Sequence, residues 1–289
     1  MPLKMFKSPD SKQERASLAK VEHIVAIAAG KGGVGKSTVT VNLALALKRA
    51  GYSVGVMDTD IYGPSIRRML PEDELPAQKG EKIIPAICHG IRMISMAYFR
   101  KENEATAVRA PIANGLINQF IHQIDWGYLD FLLIDFPPGT GDIQLTLSQQ
   151  ASLTGAVMVT TPQEVAVMDV RKAVHLFDLV NVPVVGVVEN MSYYQSAIGG
   201  EKVYLFGKGG GERLAQSIGA PLLGAIPIDP QISLCGDAGT SLFGEGVEQT
   251  PAAEAFAELA EAFVAHITAI KRLSQECLSS FELTWKEMG

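Results

Sequence analysis

The residues with the clearest chemical signature form a glycine-rich stretch near the N-terminus that reads G-K-G-G-V-G-K-S-T. It matches the phosphate-binding pattern G-x-x-x-x-G-K-[ST]. Backbone N–H groups of such a loop approach an anion closely, and the helix that follows adds its positive dipole end. The predicted nucleotide-binding residues of the stretch are Gly30, Lys31, Gly32, Gly33, Val34, Gly35, Lys36, Ser37 and Thr38.

The residues of this loop have separate predicted roles. Lys36 is predicted to reach the β- and γ-phosphates as a catalytic residue, and Ser37 to ligate Mg²⁺. Thr38 is predicted to lie beside the α-phosphate. The cofactors that follow are ATP and Mg²⁺. Positive φ is expected at all four glycines, which are Gly30, Gly32, Gly33 and Gly35.

The segments that flank the loop supply the context that the motif needs. Residues 24–29 form an apolar run that predicts a buried parallel strand. Residues 39–50 carry Leu, Ala and Val at helical spacing. A glycine-rich turn that matches by chance is the alternative, and the strand and helix together disfavour it.

Three carboxylates follow further predicted strands. Asp58 and Asp60 come after one strand, and Asp135 closes another. Ligands of parallel α/β sheets bind at the carboxyl ends of the strands. We therefore expect Asp60 to orient or polarise the attacking water as a catalytic residue. Asp135 is predicted to face Mg²⁺ through water, and Asp58 to lie around that metal or near Lys36. An ordinary carboxylate-rich turn is the alternative.

Two further places could contact a nucleotide. Gly139, in the loop after Asp135, offers a backbone N–H to a γ-phosphate, so this loop could report whether ATP or ADP is bound. Asn190 offers an amide that can bind an adenine edge. Pro227 and Asp229 form a second candidate wall for the base. Either base wall could equally be ordinary turn chemistry at a strand end.

Strands and helices alternate along the chain, which predicts an α/β fold: a doubly wound, mostly parallel sheet with helices on both faces. The Pro- and charge-rich residues 71–90 predict an irregular excursion. Strands are predicted at residues 24–29, 52–57, 91–96, 129–135, 156–160 and 182–188, and helices at residues 39–50, 112–124, 164–179 and 250–271. Three parts are predicted, namely a polar extension (1–22), an ATPase domain (23–270) and a helical tail (271–289).

Composition narrows the classes of partner. The 289 residues carry a net charge of −6 without a long basic stripe, so we expect no nucleic-acid partner. No apolar run is long enough to span a membrane, and the N-terminus lacks the apolar core of a secretory signal. The widely spaced Cys88, Cys235 and Cys277 fit a reducing environment. We therefore expect a cytoplasmic protein.

The predicted C-terminal helix is amphipathic. It carries an apolar stripe of Phe256, Leu259, Phe263 and Ile267. Membrane-surface helices favour a basic polar face, whereas acidic residues here balance the basic ones. Packing on the protein body or on a dimer partner is therefore favoured over membrane binding.

Several motifs together resemble a known family. With Lys31 after the first glycine, the loop resembles the deviant Walker A loop of the ParA/MinD/nitrogenase iron protein class, with its MinD-like (SIMIBI) P-loop NTPase fold. Motifs similar to the Mrp/ApbC-type branch are D-T-D-I-Y-G-P-S at 58–65, D-F-P-P-G-T-G-D at 135–142, E-N-M-S-Y at 189–193 and I-P-I-D-P at 226–230. The likeness covers residues 23–269.

The resemblance implies a cytosolic ATPase homodimer that carries or helps to assemble iron–sulfur clusters, with client or scaffold proteins as partners. It implies that Lys31 reaches across the dimer to the other subunit's nucleotide, as a catalytic residue. On the residues alone, Lys31 could instead be a solvated loop lysine.

One segment departs from the family pattern. In the family, a C-x-x-C pair follows E-N-M-S-Y, and the pairs of two subunits hold one 4Fe-4S cluster. Ser196 and Gly199 stand at those positions here, and neither supplies a thiolate. A hairpin with Gly199 and Gly200 in its turn is predicted instead. Cys235 is predicted to be a packed small side chain.

Three functions follow from these observations. The first is slow, Mg²⁺-dependent ATP hydrolysis coupled to rearrangement of a dimer in iron–sulfur cluster assembly or transfer. The second is an ATP-controlled positioning or regulatory switch of the ParA/MinD kind, which the missing thiolates favour. The third is an ATP-binding scaffold without turnover, which would require another role for Asp60.

Overall fold

The computed structural model describes residues 18–61, 63–99, 110–195, 200–244 and 250–287, with side chains for all of these except 110–114 and 274–287. The strands are β1 (Val21–Ala28), β2 (Val54–Asp58), β3 (Ala77–Lys79), β4 (Lys82–Ile84), β5 (Ala86–Cys88), β6 (Ile91–Ser95), β7 (Leu129–Asp135), β8 (Gly155–Thr160), β9 (Val184–Glu189) and β10 (Leu222–Ala225). The helices are α1 (Lys36–Arg49), α2 (Ile66–Met69), α3 (Ala110–Gln123), α4 (Asp142–Gln150), α5 (Glu164–Leu179), α6 (Gly210–Ile218), α7 (Pro230–Ala238) and α8 (Pro251–Glu287).

One sheet organises the molecule, with the strand order β10-β9-β8-β1-β7-β2-β6-β5. Its strands pair in parallel except for β5, which is antiparallel to β6. Strands β2 and β8 are buried along their whole length, as expected where helices cover both faces of a parallel sheet. The predicted doubly wound, mostly parallel architecture is confirmed.

The predicted excursion at residues 71–90 is more regular than expected. Strands β3 and β4 form a separate two-stranded antiparallel sheet, and β5 joins the edge of the main sheet. Each of these strands has three residues, and those of β3 are exposed throughout. Three residues are too few to show the alternation by which strands are recognised, so the sequence pattern could not reveal them.

Helix α8 confirms the predicted apolar stripe. Phe256, Leu259, Phe263 and Ile267 are all fully buried, and the Phe263 ring lies 5.5 Å from that of Phe131 on β7. The helix packs against α1, β9 and β10, so this part of it lies on the protein body. It continues without a break through the predicted boundary at residue 270. Among the described residues, no helix combines the length and the apolarity needed to cross a bilayer.

The register of the central strands brings the predicted site residues to one edge. Strand β1 lies between β7 and β8, and the glycine-rich loop follows it. Asp135 at the end of β7 pairs with Ile27 on one side and with Asp58 on the other, and Asp58 pairs with Ser95 on β6. The carboxyl ends of four neighbouring strands therefore meet beside the loop, where ligands of such sheets bind.

Candidate nucleotide-binding site

The glycines of the phosphate loop serve two different purposes. Gly33 and Gly35 have φ of 81° and 82°, as expected for glycines in a tight turn, and Gly35 caps the N-terminus of α1. The expected positive φ is wrong for Gly30 and Gly32. A Cβ on Gly30 would lie 2.1 Å from the backbone carbon of Asp169 in α5, whereas one on Gly32 would meet no atom within 4 Å. Gly30 is therefore required by close packing.

Lys36, Ser37 and Asp135 form the centre of the site. The Lys36 ammonium donates to Asp135 Oδ2 at 2.6 Å, and the Ser37 hydroxyl donates to the same oxygen at 2.7 Å. Lys36 Nζ also lies 3.2 Å from Ser37 Oγ. Lys36 is 7% exposed and Asp135 is fully buried. The structure thus assembles the predicted phosphate-binding lysine, the predicted metal-binding hydroxyl and the predicted strand-end acid.

A donor that the sequence did not reveal completes this group. The Thr40 hydroxyl donates to Asp135 Oδ1 at 2.7 Å, and Thr40 is fully buried. Thr40 lies four residues after Lys36, so both side chains project from one face of α1. Thr38, the predicted α-phosphate neighbour, lies on another face, where its hydroxyl is 3.9 Å from Met69 Sδ.

The other two predicted acids differ in their surroundings. Asp58 is fully buried and accepts hydrogen bonds from the Ser95 hydroxyl at 2.7 Å and the Asp60 N–H at 3.2 Å. Burial, and then the neighbouring charge of Asp135, raise the pKa of Asp58 to about 7. Asp60 is half-buried, and its carboxylate accepts from the Gly63 N–H at 3.0 Å. Asp60 is therefore the acid of this pair that can meet water.

The loop after Asp135 is held by a buried amide. Gln144 Nε2 donates to the Pro138 carbonyl at 2.8 Å and to the Pro137 carbonyl at 3.2 Å. Gln144 is 6% exposed, whereas Pro138 beside it is exposed. Gly139 follows with φ of 95°. Gln144, another residue that the sequence analysis missed, therefore fixes the backbone from which the Gly139 N–H projects.

The two candidate base walls lie side by side. The Ile228 N–H donates to the Tyr193 carbonyl at 2.6 Å, which joins the segments that follow β9 and β10. Asn190 is buried, and its Nδ2 donates to the Val34 carbonyl of the phosphate loop at 2.9 Å. The Asp229 carboxylate caps α7 by accepting from the Gln231 N–H, which is the turn chemistry named above as the alternative. Adenine binding by Asn190, Pro227 or Asp229 stays a prediction.

The oxygens at the centre of the site fit a magnesium ion. Mg²⁺ is a hard cation that keeps several waters and takes one or two protein oxygens together with phosphates. Ser37 Oγ and Asp135 Oδ2, 2.7 Å apart, offer such a pair. In the part of the chain described here, no group of three or more His, Cys, Asp or Glu could hold a metal by itself.

The described thiols do not fit an iron–sulfur cluster. Cys88 and Cys235 are free cysteines, and both are buried. Burial raises the pKa of the Cys88 thiol to about 12, so it stays protonated, whereas a cluster requires thiolates. Cys235 is packed, as predicted. The side chain of Cys277 and the residues Ser196 and Gly199 lie outside the described part of the chain.

The described ends of the predicted hairpin pair with one another. Tyr194 and Val203 exchange both backbone hydrogen bonds at 2.8 Å, as an antiparallel bridge. Residues 203–206, which we name the apolar segment, follow at once. Its four exposed side chains are Val203, Tyr204, Leu205 and Phe206.

Sequence comparison finds a family model and relatives that match most of the chain. A family model described as ParA: NUBPL iron-transfer P-loop NTPase matches residues 20–264. An iron–sulfur cluster carrier protein of Synechocystis is 44% identical over 235 residues, which are 79% of this chain and 67% of that protein. Across this and two further relatives, the chain spans 63–67% of the relatives' own length.

Solved structures agree with the fold. A nucleotide-binding protein from Archaeoglobus fulgidus in complex with ADP has a TM-score of 0.70 and 35% identity, covering 83% of this chain and 98% of that one. The septum site-determining protein MinD of Pyrococcus horikoshii, in complex with Mg-ADP, has a TM-score of 0.58 and 23% identity, covering 83% and 94%. The second likeness concerns the fold alone.

Proposed function

This chain belongs to the ParA family of NUBPL-type iron-transfer P-loop NTPases, and from that premise we propose that it binds Mg²⁺-ATP and hydrolyses it slowly. We further propose that it works as a cytoplasmic homodimer in the assembly or transfer of iron–sulfur clusters. The observation that carries the proposal is the group formed by the buried Lys36 and Asp135 with the half-buried Ser37, at the carboxyl edge of the sheet.

Binding of the triphosphate exchanges partners within this group. The loop N–H groups and the start of α1 bind the phosphate oxygens. The Lys36 ammonium, held by Asp135 at 2.6 Å, turns from the carboxylate to the β- and γ-phosphates. Ser37 and Asp135 are the residues that would hold Mg²⁺, which would neutralise charge on those phosphates. Lys31, half-buried at the start of the loop, is proposed to contact the nucleotide of a second copy.

Hydrolysis requires a positioned water. Asp60 is the proposed residue for this step because it is half-buried at the edge of the site, two residues beyond β2. The N–H of Gly139 is proposed to contact the γ-phosphate, which makes its loop sensitive to hydrolysis. Turnover is expected to be slow, since the residues position water and phosphate without a strong base.

The iron–sulfur role rests on the relatives, which include proteins named as cluster carriers. We propose that clusters are cargo exchanged with client or scaffold proteins under control of the nucleotide. The thiolates for such cargo are not supplied by Cys88 or Cys235, because both are buried.

ATP turnover by two variants tests the catalytic half. Lys36→Ala is expected to lower turnover about 100-fold or more, as for the loss of a group that stabilises transition-state charge. Asp60→Ala is expected to lower turnover while leaving ATP binding intact. Lys172→Ala and Asp178→Ala, which change exposed residues of α5, are the matched controls. Parent-like turnover in both site variants would refute the mechanism, and ATP binding by a parent that never turns over would indicate a scaffold.

A second candidate is a positioning switch, which the buried state of Cys88 and Cys235 favours. Sedimentation with liposomes and with DNA, each with ATP and with ADP, separates the two. ATP-dependent pelleting would favour the switch. Stoichiometric iron and sulfide in protein purified without oxygen would favour the carrier.

A further inference from the structure

We propose that Thr40 is a positioning residue that, by donating to Oδ1, orients the Asp135 carboxylate with its other oxygen, Oδ2, toward the place of Mg²⁺ and the phosphates. The inference deepens the proposed function and rests on it. No motif of the phosphate loop includes Thr40, which lies beyond the G-K-[ST] pattern.

The two oxygens of Asp135 have different kinds of partner. Oδ1 accepts from the Thr40 hydroxyl at 2.7 Å. Oδ2 accepts from Lys36 Nζ at 2.6 Å and from Ser37 Oγ at 2.7 Å. Both donors to Oδ2 have another proposed partner when the nucleotide binds, the phosphates for Lys36 and Mg²⁺ for Ser37. The donor to Oδ1 is fully buried in the second turn of α1. Thr40 is therefore the partner that can remain when the other two leave.

The local geometry prepares Thr40 for this role. Its hydroxyl oxygen lies 3.0 Å from the Lys36 carbonyl as well as 2.7 Å from Asp135 Oδ1. A hydroxyl has one hydrogen, and the nearer, charged acceptor takes it. In a helix, threonine divides between two χ1 rotamers because its hydroxyl can approach the carbonyl one turn earlier. The 3.0 Å approach to the Lys36 carbonyl accompanies the rotamer in which Thr40 meets Asp135.

The backbone of Asp135 is fixed independently. Its carbonyl accepts from the Thr59 N–H at 3.2 Å and from the Thr59 hydroxyl at 2.7 Å. With the backbone held, the carboxylate can move only by rotation of its side chain. Once Lys36 and Ser37 turn to the ligand, the Thr40 hydroxyl on Oδ1 is the donor that still opposes this rotation. Without Thr40, the carboxylate would have to be ordered when the metal binds, and this ordering would weaken metal binding.

The test compares Thr40→Val, which keeps the shape and removes the hydroxyl, with Thr40→Ser, which keeps the hydroxyl. Calorimetry measures ATP affinity over a Mg²⁺ series and in EDTA. The Mg²⁺ concentration for half-maximal enhancement of ATP affinity should rise about 10- to 100-fold in Thr40→Val, as for other residues that orient metal ligands. ATP affinity in EDTA should not change. Thr40→Ser should stay within about threefold of the parent, since it keeps the donor.

Thr146→Val is the matched control. The Thr146 hydroxyl donates to the Asp142 carbonyl of its own helix at 2.8 Å, on an exposed surface. It should leave the Mg²⁺ dependence unchanged.

An unshifted Mg²⁺ dependence in Thr40→Val would overturn the inference, and so would an equal loss of ATP affinity with Mg²⁺ and in EDTA, which indicates a merely structural role. The parent distinguishes the two levels of failure. If the parent binds ATP no better with Mg²⁺ than in EDTA, the proposed function fails as well, whereas a normal parent with an unshifted variant refutes the role of Thr40 alone.

Discussion

Two regions differ in how many contacts hold their side chains. One is the phosphate end of the molecule, by which we mean Lys36, Ser37, Thr40 and Asp135, and the other is the apolar segment at residues 203–206. At the phosphate end, Asp135 is fully buried and accepts hydrogen bonds from three side chains, those of Lys36, Ser37 and Thr40. In the apolar segment, Val203 and Leu205 are 50% and 59% exposed. Its contacts include Lys208 Nζ over the Tyr204 ring, at 4.9 Å from the centroid.

This difference shows which chemistry the fold has prepared. Buried, satisfied polar networks are rigid, and rigidity is what electrostatic catalysis on phosphates requires. Exposed apolar side chains supply contact area and no ligand chemistry. The proposed binding and hydrolysis of ATP are therefore supported by the hydrogen bonds around Asp135. The proposed role with iron–sulfur clusters is supported by likeness to relatives.

The largest expected effect is on the buried ion pair of the phosphate end. Asp135→Asn leaves the Lys36 ammonium buried without its nearest counter-charge, which costs about 3–5 kcal/mol of unfolding free energy. The lower end is expected because Asp58 remains nearby as a negative neighbour. Asp169→Asn, which breaks the exposed Lys172–Asp169 pair, should cost no more than about 1 kcal/mol. Denaturant unfolding measures both, and equal costs would erase the contrast between buried and exposed pairs.

Gly30→Ala tests the close packing of the loop on α5. A Cβ there would lie 2.1 Å from backbone atoms that cannot move aside alone. We expect a loss of about 1–3 kcal/mol of unfolding free energy, the range for overpacking. Gly32→Ala lies two residues away in open space and should stay within about 0.5 kcal/mol of the parent. Similar values for the two variants would mean that the loop does not pack on α5 as described.

Gln144→Glu tests whether the loop after Asp135 reports the γ-phosphate. A carboxylate cannot donate to the Pro137 and Pro138 carbonyls, so the backbone that presents the Gly139 N–H is released. ATP affinity should fall about tenfold, the value of one hydrogen bond, because the Gly139 N–H then loses its proposed contact with the γ-phosphate. ADP affinity should be unchanged, because ADP has no γ-phosphate. Gln150→Glu, exposed at the end of the same helix, is the control. An equal loss for ATP and ADP would show that the loop does not distinguish them.

His23, which lies outside both regions, tests how stability depends on pH. It is buried beside Phe131, and burial, followed by the Lys271 ammonium, lowers its pKa below the usual 6.5. Between the lowered folded pKa and about 6.5 the unfolded chain binds more protons, so stability falls as pH falls, by at most about 1.4 kcal/mol per pH unit. Asp58, whose raised pKa of about 7 gives it the opposite sign in this window, contributes equally to the parent and to the variant. His23→Phe should therefore lose less stability than the parent, or gain more, when unfolding is measured from pH 7.5 down to 5. An unchanged slope would assign it to other groups.

The smallest effect is expected in the apolar segment. Leu205→Ser removes a side chain that is 59% exposed, so unfolding free energy and ATP affinity should both stay near the parent, within about 0.5 kcal/mol. A loss as large as that of Gly30→Ala would show that the segment is packed, and the comparison of the two regions would then fail.

The sequence predicted the parts that carry their own signal. The glycine loop and the strand-end Asp58 and Asp135 follow from spacing and apolar runs, and α5 has the predicted bounds, Glu164–Leu179. The supporting donors could not be predicted. Thr40 and Asp135 are 95 positions apart, and only the sheet register and the helix face bring them together.

Two other differences have causes that the neighbouring sequence does not contain. Positive φ was expected at Gly30 from its place in the motif, but its contact with α5 depends on a helix about 140 residues further on. The sequence leaves two uses open for the Asp229 side chain, a wall for the base and ordinary turn chemistry. In the structure its carboxylate caps α7. A single side chain at a strand end does not encode which of its neighbours it meets.

Calorimetric titration of ATP into the purified chain, with Mg²⁺ and with EDTA, measures whether the group of Lys36, Ser37 and Asp135 binds a nucleotide. We expect saturable binding of one nucleotide per chain, tighter with Mg²⁺, and loss of that binding in Lys36→Ala. The absence of binding heat from ATP with Mg²⁺, or parent-like binding by Lys36→Ala, would contradict the proposal.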